Sequence, residues 1–352
     1  MTAYGVVTRN EEEVSWGEFD RGFYEVKDVT GRAAAPLSDA VNMISCFGDN
    51  AAVEESPELA PVTADGERAT RERPYFDWAY VCPTQPDYRA GILEMIEDAA
   101  AENDAVRLDD VGFPRAEYCY CDRCGEQFTA WASEQEGVDD DAERGSDAWF
   151  DWRASVISQF VAAATDRIPG RTYLTLYPDP YPGHLYERAG LDLDRLAGHV
   201  DEFVVPLYDT AYGTTYWLET IAKGFQTRLA DLDVEFSVEL YAVNVDVDDL
   251  IHAVEVAEAY AREVFLGYDA SVAAAALRRM RADRREGTEH GVPSGSDSPD
   301  GGDALDSGDS PDSGDAQDSG DSPDSGDARD SGDTPDGGDA LDSGDTPDGG
   351  RE

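Results

Sequence analysis

The stretch PDYRAGILEMIEDAAAENDAVRLD, residues 86–109, decides the fold. Tyr88, Ile92, Met95, Ile96 and Ala99 recur at helical spacing on one side, with Glu94, Glu97 and Asp98 largely opposite. A short β-rich run, Ala105–Asp109, follows almost at once. A helix passing directly into a strand is the repeating unit of a parallel sheet covered by helices.

Reading outward, the same alternation holds for about 290 residues. Strands fit Tyr4–Thr8, Val41–Phe47, Thr172–Tyr177, Glu202–Tyr208, Val234–Tyr241 and Glu263–Tyr268, and helices fit Asp147–Arg167, Tyr216–Leu229, Val247–Ala261 and Ser271–Arg284. With Ala105–Asp109 this makes seven strands, which predicts an α/β fold, a (β/α)8 TIM-type barrel with one strand unread, degenerate or missing. A doubly wound open sheet is the alternative. No Gly-x-Gly-x-x-Gly or Gly-Lys-Ser/Thr loop follows any of these strands, which weakens the nucleotide-binding versions of that sheet. Residues 9–40 and 48–80 are rich in Glu, Gly and Pro and read as long loops, which in a barrel build the rim of the site.

The barrel is expected over residues 1–286 and an acidic tail over 287–352. From Ser294 the composition changes to Asp, Ser, Gly, Pro and Ala, with Asp at every third position from Asp297 to Asp348 and no aromatic residue. Such a segment buries no core, so disorder is expected. The chain's formal net charge is −50, from 77 acidic against 27 basic residues. Without residues 294–352 the balance is still 58 acids against 25 bases. Lys27 and Lys223 are its only lysines. Such a surface suits a high-salt cytoplasm, where screening shortens the Debye length to about 3 Å at 1 M. It repels phosphate backbones and anionic lipid heads, which excludes nucleic acid and membrane surfaces as partners. The N-terminus shows no basic region followed by an apolar run, and no apolar run approaches the ~20 residues of a membrane span, so a cytoplasmic location is expected.

Five cysteines in a reducing compartment point to metal binding or free thiols. Cys119-Tyr120-Cys121-Asp122-Arg123-Cys124 places three thiolates within six residues, with Cys82 upstream and Cys46 as a competing fourth ligand. Cys82 is favoured because it lies where the helix before the Asp109 strand begins. Four sulfur ligands close a tetrahedral zinc site and leave no open position, so the expected Zn2+ is structural. No organic cofactor is implied. His184, His199, His252 and His290 show no metal-ligand spacing, and no Gly-x-Ser-x-Gly elbow supports a serine hydrolase.

The strand end at Asp109 and Asp110 would deliver two carboxylates to the catalytic face of a parallel barrel. Adjacent strand residues point oppositely, so the two should differ in role. Four other strand ends pair an aromatic residue with an acid: Tyr177 with Asp179, Tyr208 with Asp209, Tyr241 with Glu239, and Tyr268 with Asp269. Carboxylates that handle hydroxyls and protons, mixed with aromatic faces that stack on sugar rings, fit a carbohydrate substrate.

The order Cys82-Pro83-Thr84-Gln85-Pro86-Asp87-Tyr88-Arg89, then Asp109-Asp110, then Cys119 to Cys124 continuing to Trp131, resembles the barrel of glycoside hydrolase family 42 and of hypothetical glycosyl hydrolases. The resemblance implies a structural zinc on Cys82, Cys119, Cys121 and Cys124. It covers about 50 residues. Family 42 places Asn-Glu where this chain has Asp109-Asp110, and Leu108–Pro114 is more similar to the Leu-Asp-x-x-Arg-Phe/Tyr-Pro strand of the hypothetical glycosyl hydrolases, with Gly112 in place of the Arg. The expected function is a glycosidase: Asp110 or Asp109 as the acid, Glu239 or Asp269 as the opposite carboxylate, and Asp179, Asp209, Tyr177, Tyr208, Tyr241 and Tyr268 holding substrate. A non-catalytic carbohydrate- or protein-binding barrel that has lost its catalytic Glu is the alternative. Another barrel hydrolase acting on a small polar substrate is a third.

Overall fold

The computed structural model describes residues 2–139 and 142–289. Eight strands close into one parallel barrel in chain order. They are β1 (Ala3–Thr8), β2 (Arg21–Lys27), β3 (Val41–Ser45), β4 (Val106–Asp109), β5 (Thr172–Thr175), β6 (Glu202–Pro206), β7 (Glu235–Tyr241) and β8 (Glu263–Gly267). The α-helices are α1 (Asn50–Glu55), α2 (Pro86–Glu102), α3 (Asp122–Ala132), α4 (Asp147–Thr165), α5 (His184–Ala189), α6 (Leu193–Leu196), α7 (Tyr216–Leu229), α8 (Val247–Glu258) and α9 (Ala270–Glu289). The ring closes where β1 pairs with β8, Tyr4 opposite Val264 and Val6 opposite Leu266. The barrel expectation is borne out, and the open sheet is excluded.

The strand that the sequence hid is β2, inside a region read as loop. Its run Arg-Gly-Phe-Tyr-Glu-Val-Lys carries three charges and a glycine, so it lacks the apolar look of its neighbours. Burial is nonetheless complete from Gly22 to Lys27. Tyr24 and Val26 face the layer between strands and helices, while Phe23 joins Val7, Val41, Met43, Tyr173, Val204 and Phe265 in a second cluster inside the barrel. Period-two alternation thus divides one short strand between two cores.

Each fully buried ring in that inner cluster contributes about 2 kcal/mol by leaving water. The cluster fills the lumen, so the barrel is a plugged scaffold and chemistry is confined to its ends. At the N-terminal end the lumen is sealed by ion pairs: Arg21 Nε to Glu263 at 3.2 Å and Arg171 Nη2 to Glu202 at 2.7 Å. At the C-terminal end the strands open into a cavity.

Helix α9 continues to Glu289, past the boundary expected at 286. The acidic repeat, and His290 with it, lie outside the described residues. No helix among the described residues is long and apolar enough to cross a membrane.

Candidate functional site

β4 and β3 run in register with Ser45 opposite Asp109, and the pairing extends past both strands. The Cys46 amide donates to the Asp109 carbonyl at 2.7 Å, and the Phe47 amide to the Asp110 carbonyl at 3.2 Å. Asp110 then turns into the left-handed region, with φ of 50°, which a residue with a Cβ adopts only when its surroundings hold it there. This turn breaks the strand alternation. Asp109 and Asp110 therefore line the same cavity instead of pointing to opposite faces. Asp109 Oδ1 accepts the Asp110 amide at 2.9 Å, and Ser45 Oγ lies 2.6 Å from Asp110 Oδ2.

The cavity encloses about 600 Å³ at the C-terminal mouth of the barrel. Burial, with the charge of Asp109 beside it, raises the Asp110 carboxyl to about 8, against opposing effects of Ser45 and Lys27. A third carboxylate, Glu25 at the upper end of β2, reaches the cavity from a stretch that the sequence reads as loop. Burial pushes it up to about 7; Arg9 opposes the rise, and the Asp109 and Asp28 charges add to it. Asp109 is thus the common neighbour of two carboxyls that hold their protons near neutral pH. Arg9 pairs with Glu25, lies 3.4 Å from Asp28, and sits with its guanidinium carbon 5.4 Å from the centre of the Tyr268 ring.

Tyr177, Tyr208, Tyr241 and Tyr268 all line the cavity, as the sequence suggested, and Trp78 joins them. Three form a row along one wall, with ring centroids 5.3 Å apart for Tyr208 and Tyr241 and 6.2 Å for Tyr241 and Tyr268. Tyr212 holds this wall from behind: its hydroxyl donates to the Leu207 carbonyl at 2.8 Å and accepts the Tyr241 amide at 2.7 Å.

The remaining acids are placed differently from expectation. Glu239 has no exposed surface; its carboxylate is paired with Arg107 Nη1 at 2.5 Å and accepts a hydrogen bond from Tyr208. Arg107 is itself only 1% exposed, donates from Nε to Thr175 Oγ1 at 2.9 Å, and forms part of the cavity lining. The pair forms the floor of the site, with Glu239 covered. Gly267 makes room for it, since a Cβ there would lie 2.9 Å from Glu239 Oε1. Asp269 is away from the cavity wall, because its Oδ1 caps α9 by accepting the amides of Ser271 and Val272, both at 3.1 Å. Asp179 turns outward to His184 at 3.0 Å and to the Tyr181 amide at 3.1 Å. Asp209 accepts the Thr210 amide at 2.6 Å and lies outside the cavity lining. In all three, the acid after a strand end is used to fold its own loop, an ordinary role for Asp.

Away from the mouth, the sulfurs of Cys82, Cys119, Cys121 and Cys124 lie within 4.8 Å of one another. Tetrahedral zinc with Zn–S near 2.3 Å needs sulfur–sulfur edges of about 3.8 Å, so the set fits. Cys82 and Cys124 are 3.5 Å apart. Backbone amides support the sulfurs: Val62 donates to Cys119 at 3.4 Å, and Cys124 to Cys121 at 3.5 Å where Cys121 caps α3. Cys82 sits ahead of α2, which begins at Pro86. Cys46 stands apart at the end of β3, buried, its thiol 3.5 Å from the Ile44 carbonyl.

Fold and site together define a (β/α)8 barrel with a carboxylate-rich, tyrosine-walled mouth and a separate four-sulfur cluster. No family model matches the chain, and no curated protein matches it in sequence. Among solved structures it is similar to the catalytic domain of β-amylase from Paenibacillus polymyxa, with 10% identity over 77% of this chain and 92% of that one, and a TM-score of 0.46. It is also similar to an inactive variant of a GH20 exo-β-N-acetylglucosaminidase from Vibrio harveyi, with 8% identity over 76% of this chain and 50% of that one, at 0.44. A third is a 3-keto-D-glucoside 4-epimerase from E. coli, with 11% identity over 81% of this chain and 100% of that one, at 0.34. These are likenesses of fold.

Proposed function

We propose that this barrel is a glycoside hydrolase in which Asp110 protonates the leaving oxygen and Asp109 is its carboxylate partner. The observation that carries the reading is the pairing itself. One cavity of about 600 Å³ brings a carboxyl held at about 8 next to a second acid, among tyrosine faces. A donor that keeps its proton at neutral pH and a neighbouring carboxylate are the two groups that glycosidic cleavage needs. The glycosidic C–O bond breaks as the departing oxygen takes the Asp110 proton; water then adds at the anomeric carbon and gives up its proton to Asp109. Glu239 serves to fix Arg107 in the floor. The resemblance to family 42 and to hypothetical glycosyl hydrolases, carried by the cysteine order and the Leu108–Pro114 strand, supports the same class.

The test is turnover of a panel of aryl glycosides in multimolar salt. Asp110→Asn should cost about 10²-fold or more on substrates with poor leaving groups. It should cost far less with a dinitrophenolate, which departs without a proton. Asp109→Asn should impair both. Equal losses across leaving groups in Asp110→Asn would refute the assignment. Binding of oligosaccharides without turnover would favour the second reading, a carbohydrate-binding barrel, to which the complete covering of Glu239 lends support.

For the cysteine cluster the inferred ion is zinc in a structural role. Four sulfur ligands fill its coordination sphere, and Cys82, Cys119, Cys121 and Cys124 would tie the loop before α2 to the start of α3.

A further inference from the structure

The acid at position 110 is held by parts that the proposed reaction does not use. Ser45 Oγ lies 2.6 Å from Asp110 Oδ2 and 3.0 Å from the Gly48 carbonyl oxygen. A hydroxyl has one proton and can serve only one of these acceptors at a time. The Gly48 carbonyl oxygen also accepts from Lys27 Nζ at 2.9 Å, and the Ser45 carbonyl accepts from the same ammonium at 2.9 Å. Lys27, 4% exposed, is pinned further by Asp49 at 3.2 Å. Position 48 must be glycine for the loop to come this close, because a Cβ there would lie 2.9 Å from both Asp110 Oδ2 and Ser45 Oγ.

We propose that Ser45 is the positioning residue of Asp110: its hydroxyl donates to Oδ2, which leaves Oδ1 as the oxygen that carries the acid proton. The contact to Oδ2 is the shorter of the two, 2.6 against 3.0 Å, and a carboxylate is the stronger acceptor when Asp110 is ionised. A carboxylic acid whose proton can sit on either oxygen offers it to substrate only part of the time, whereas one fixed by a donor at Oδ2 offers a single geometry. The inference rests on the reading of Asp110 as proton donor. Other titratable groups also act on this carboxyl and are common to every variant below. They are Asp109 on the same strand, Lys27 and Glu25 from β2, Cys46 after β3, Tyr80 and Tyr88 before and within α2, and Tyr177 after β5.

The test is an infrared titration of the carboxyl band of the full chain from pH 5 to 10, with the Asp110→Asn spectrum subtracted to isolate this group. Ser45→Ala removes a hydrogen bond to the carboxylate, so the Asp110 midpoint should rise by about one pH unit. Ser45→Thr, which keeps the hydroxyl, should leave it in place. Ser45→Cys fills similar space with a weaker donor and should give a smaller rise; it serves as the second variant if the alanine protein does not fold. A midpoint that stays or falls in both Ser45→Ala and Ser45→Cys overturns the proposal. The titration needs no substrate. Absence of glycoside turnover therefore counts against the hydrolase reading alone, and an unmoved midpoint against the positioning role alone.

Discussion

Replacing Arg107 with leucine should destabilise the barrel through Glu239. The two side chains are 1% and 0% exposed and meet at 2.5 Å, so removing the guanidinium strands a carboxylate that no water can reach. Only the Tyr208 hydroxyl would remain to it. Leaving one member of a buried ion pair uncompensated costs about 3–5 kcal/mol. For a barrel of about 290 residues, with roughly 2.1 cal/mol/K of unfolding entropy per residue, that is a fall in Tm of about 5–8 °C. The loss should depend on pH in one direction. In the variant the stranded carboxyl holds its proton more tightly folded than unfolded, so stability recovers as pH falls and worsens as it rises. Adding Glu239→Gln removes the charge and should restore most of the loss, a coupling of about 2–3 kcal/mol. Thermal unfolding followed by circular dichroism at pH 5 and pH 8, on both single variants and the double, supplies the cycle. Strict additivity, or a deficit that deepens in acid, would refute the reasoning.

Two further outcomes are expected. Asp110 and Glu25 sit at about 8 and about 7 in the folded chain, above their ordinary values, so the folded state binds more protons in this window. The stability they contribute is lost as pH rises from about 4 through 8; Asp110→Asn should flatten that decline and raise Tm at pH 9, and an unchanged slope by differential scanning calorimetry would contradict it. Metal analysis should find one zinc per chain, lost with a fall in Tm in Cys121→Ser and retained in Cys46→Ser; a metal-free wild-type chain would remove the ion from the reading.

Much of the fold was legible because helices and most strands of a barrel carry a local signature. Residues 86–109 show it: an amphipathic period, then a short apolar strand ending in acids. β2 was not legible, since its charges are matched in space by Arg9, Asp49 and the loop carbonyls, none of which is near in sequence. A lysine or glutamate that reads as solvent-facing can be fully buried once such partners arrive. Arg107 did carry a signal, a positive charge flanked by the apolar Val106 and Leu108 inside a buried strand, and such a charge calls for a buried counter-ion. Its partner, Glu239 on β7, could not be named without the closed ring.

The sequence by itself determined the alternation of strands and helices, the C-terminal strand ends as the place for acids and tyrosines, and the grouping of three cysteines. Those are properties of spacing, and spacing is local. Only the tertiary structure decided which acids reach the mouth. The positive φ of Asp110 turned it into the cavity beside Asp109, β2 brought Glu25, and Asp179 and Asp269 were drawn into their own loops. It also decided that Cys82 joins the cluster and Cys46 does not. Each of these outcomes depends on distances between residues tens to hundreds of positions apart, which chain closure sets and residue order does not.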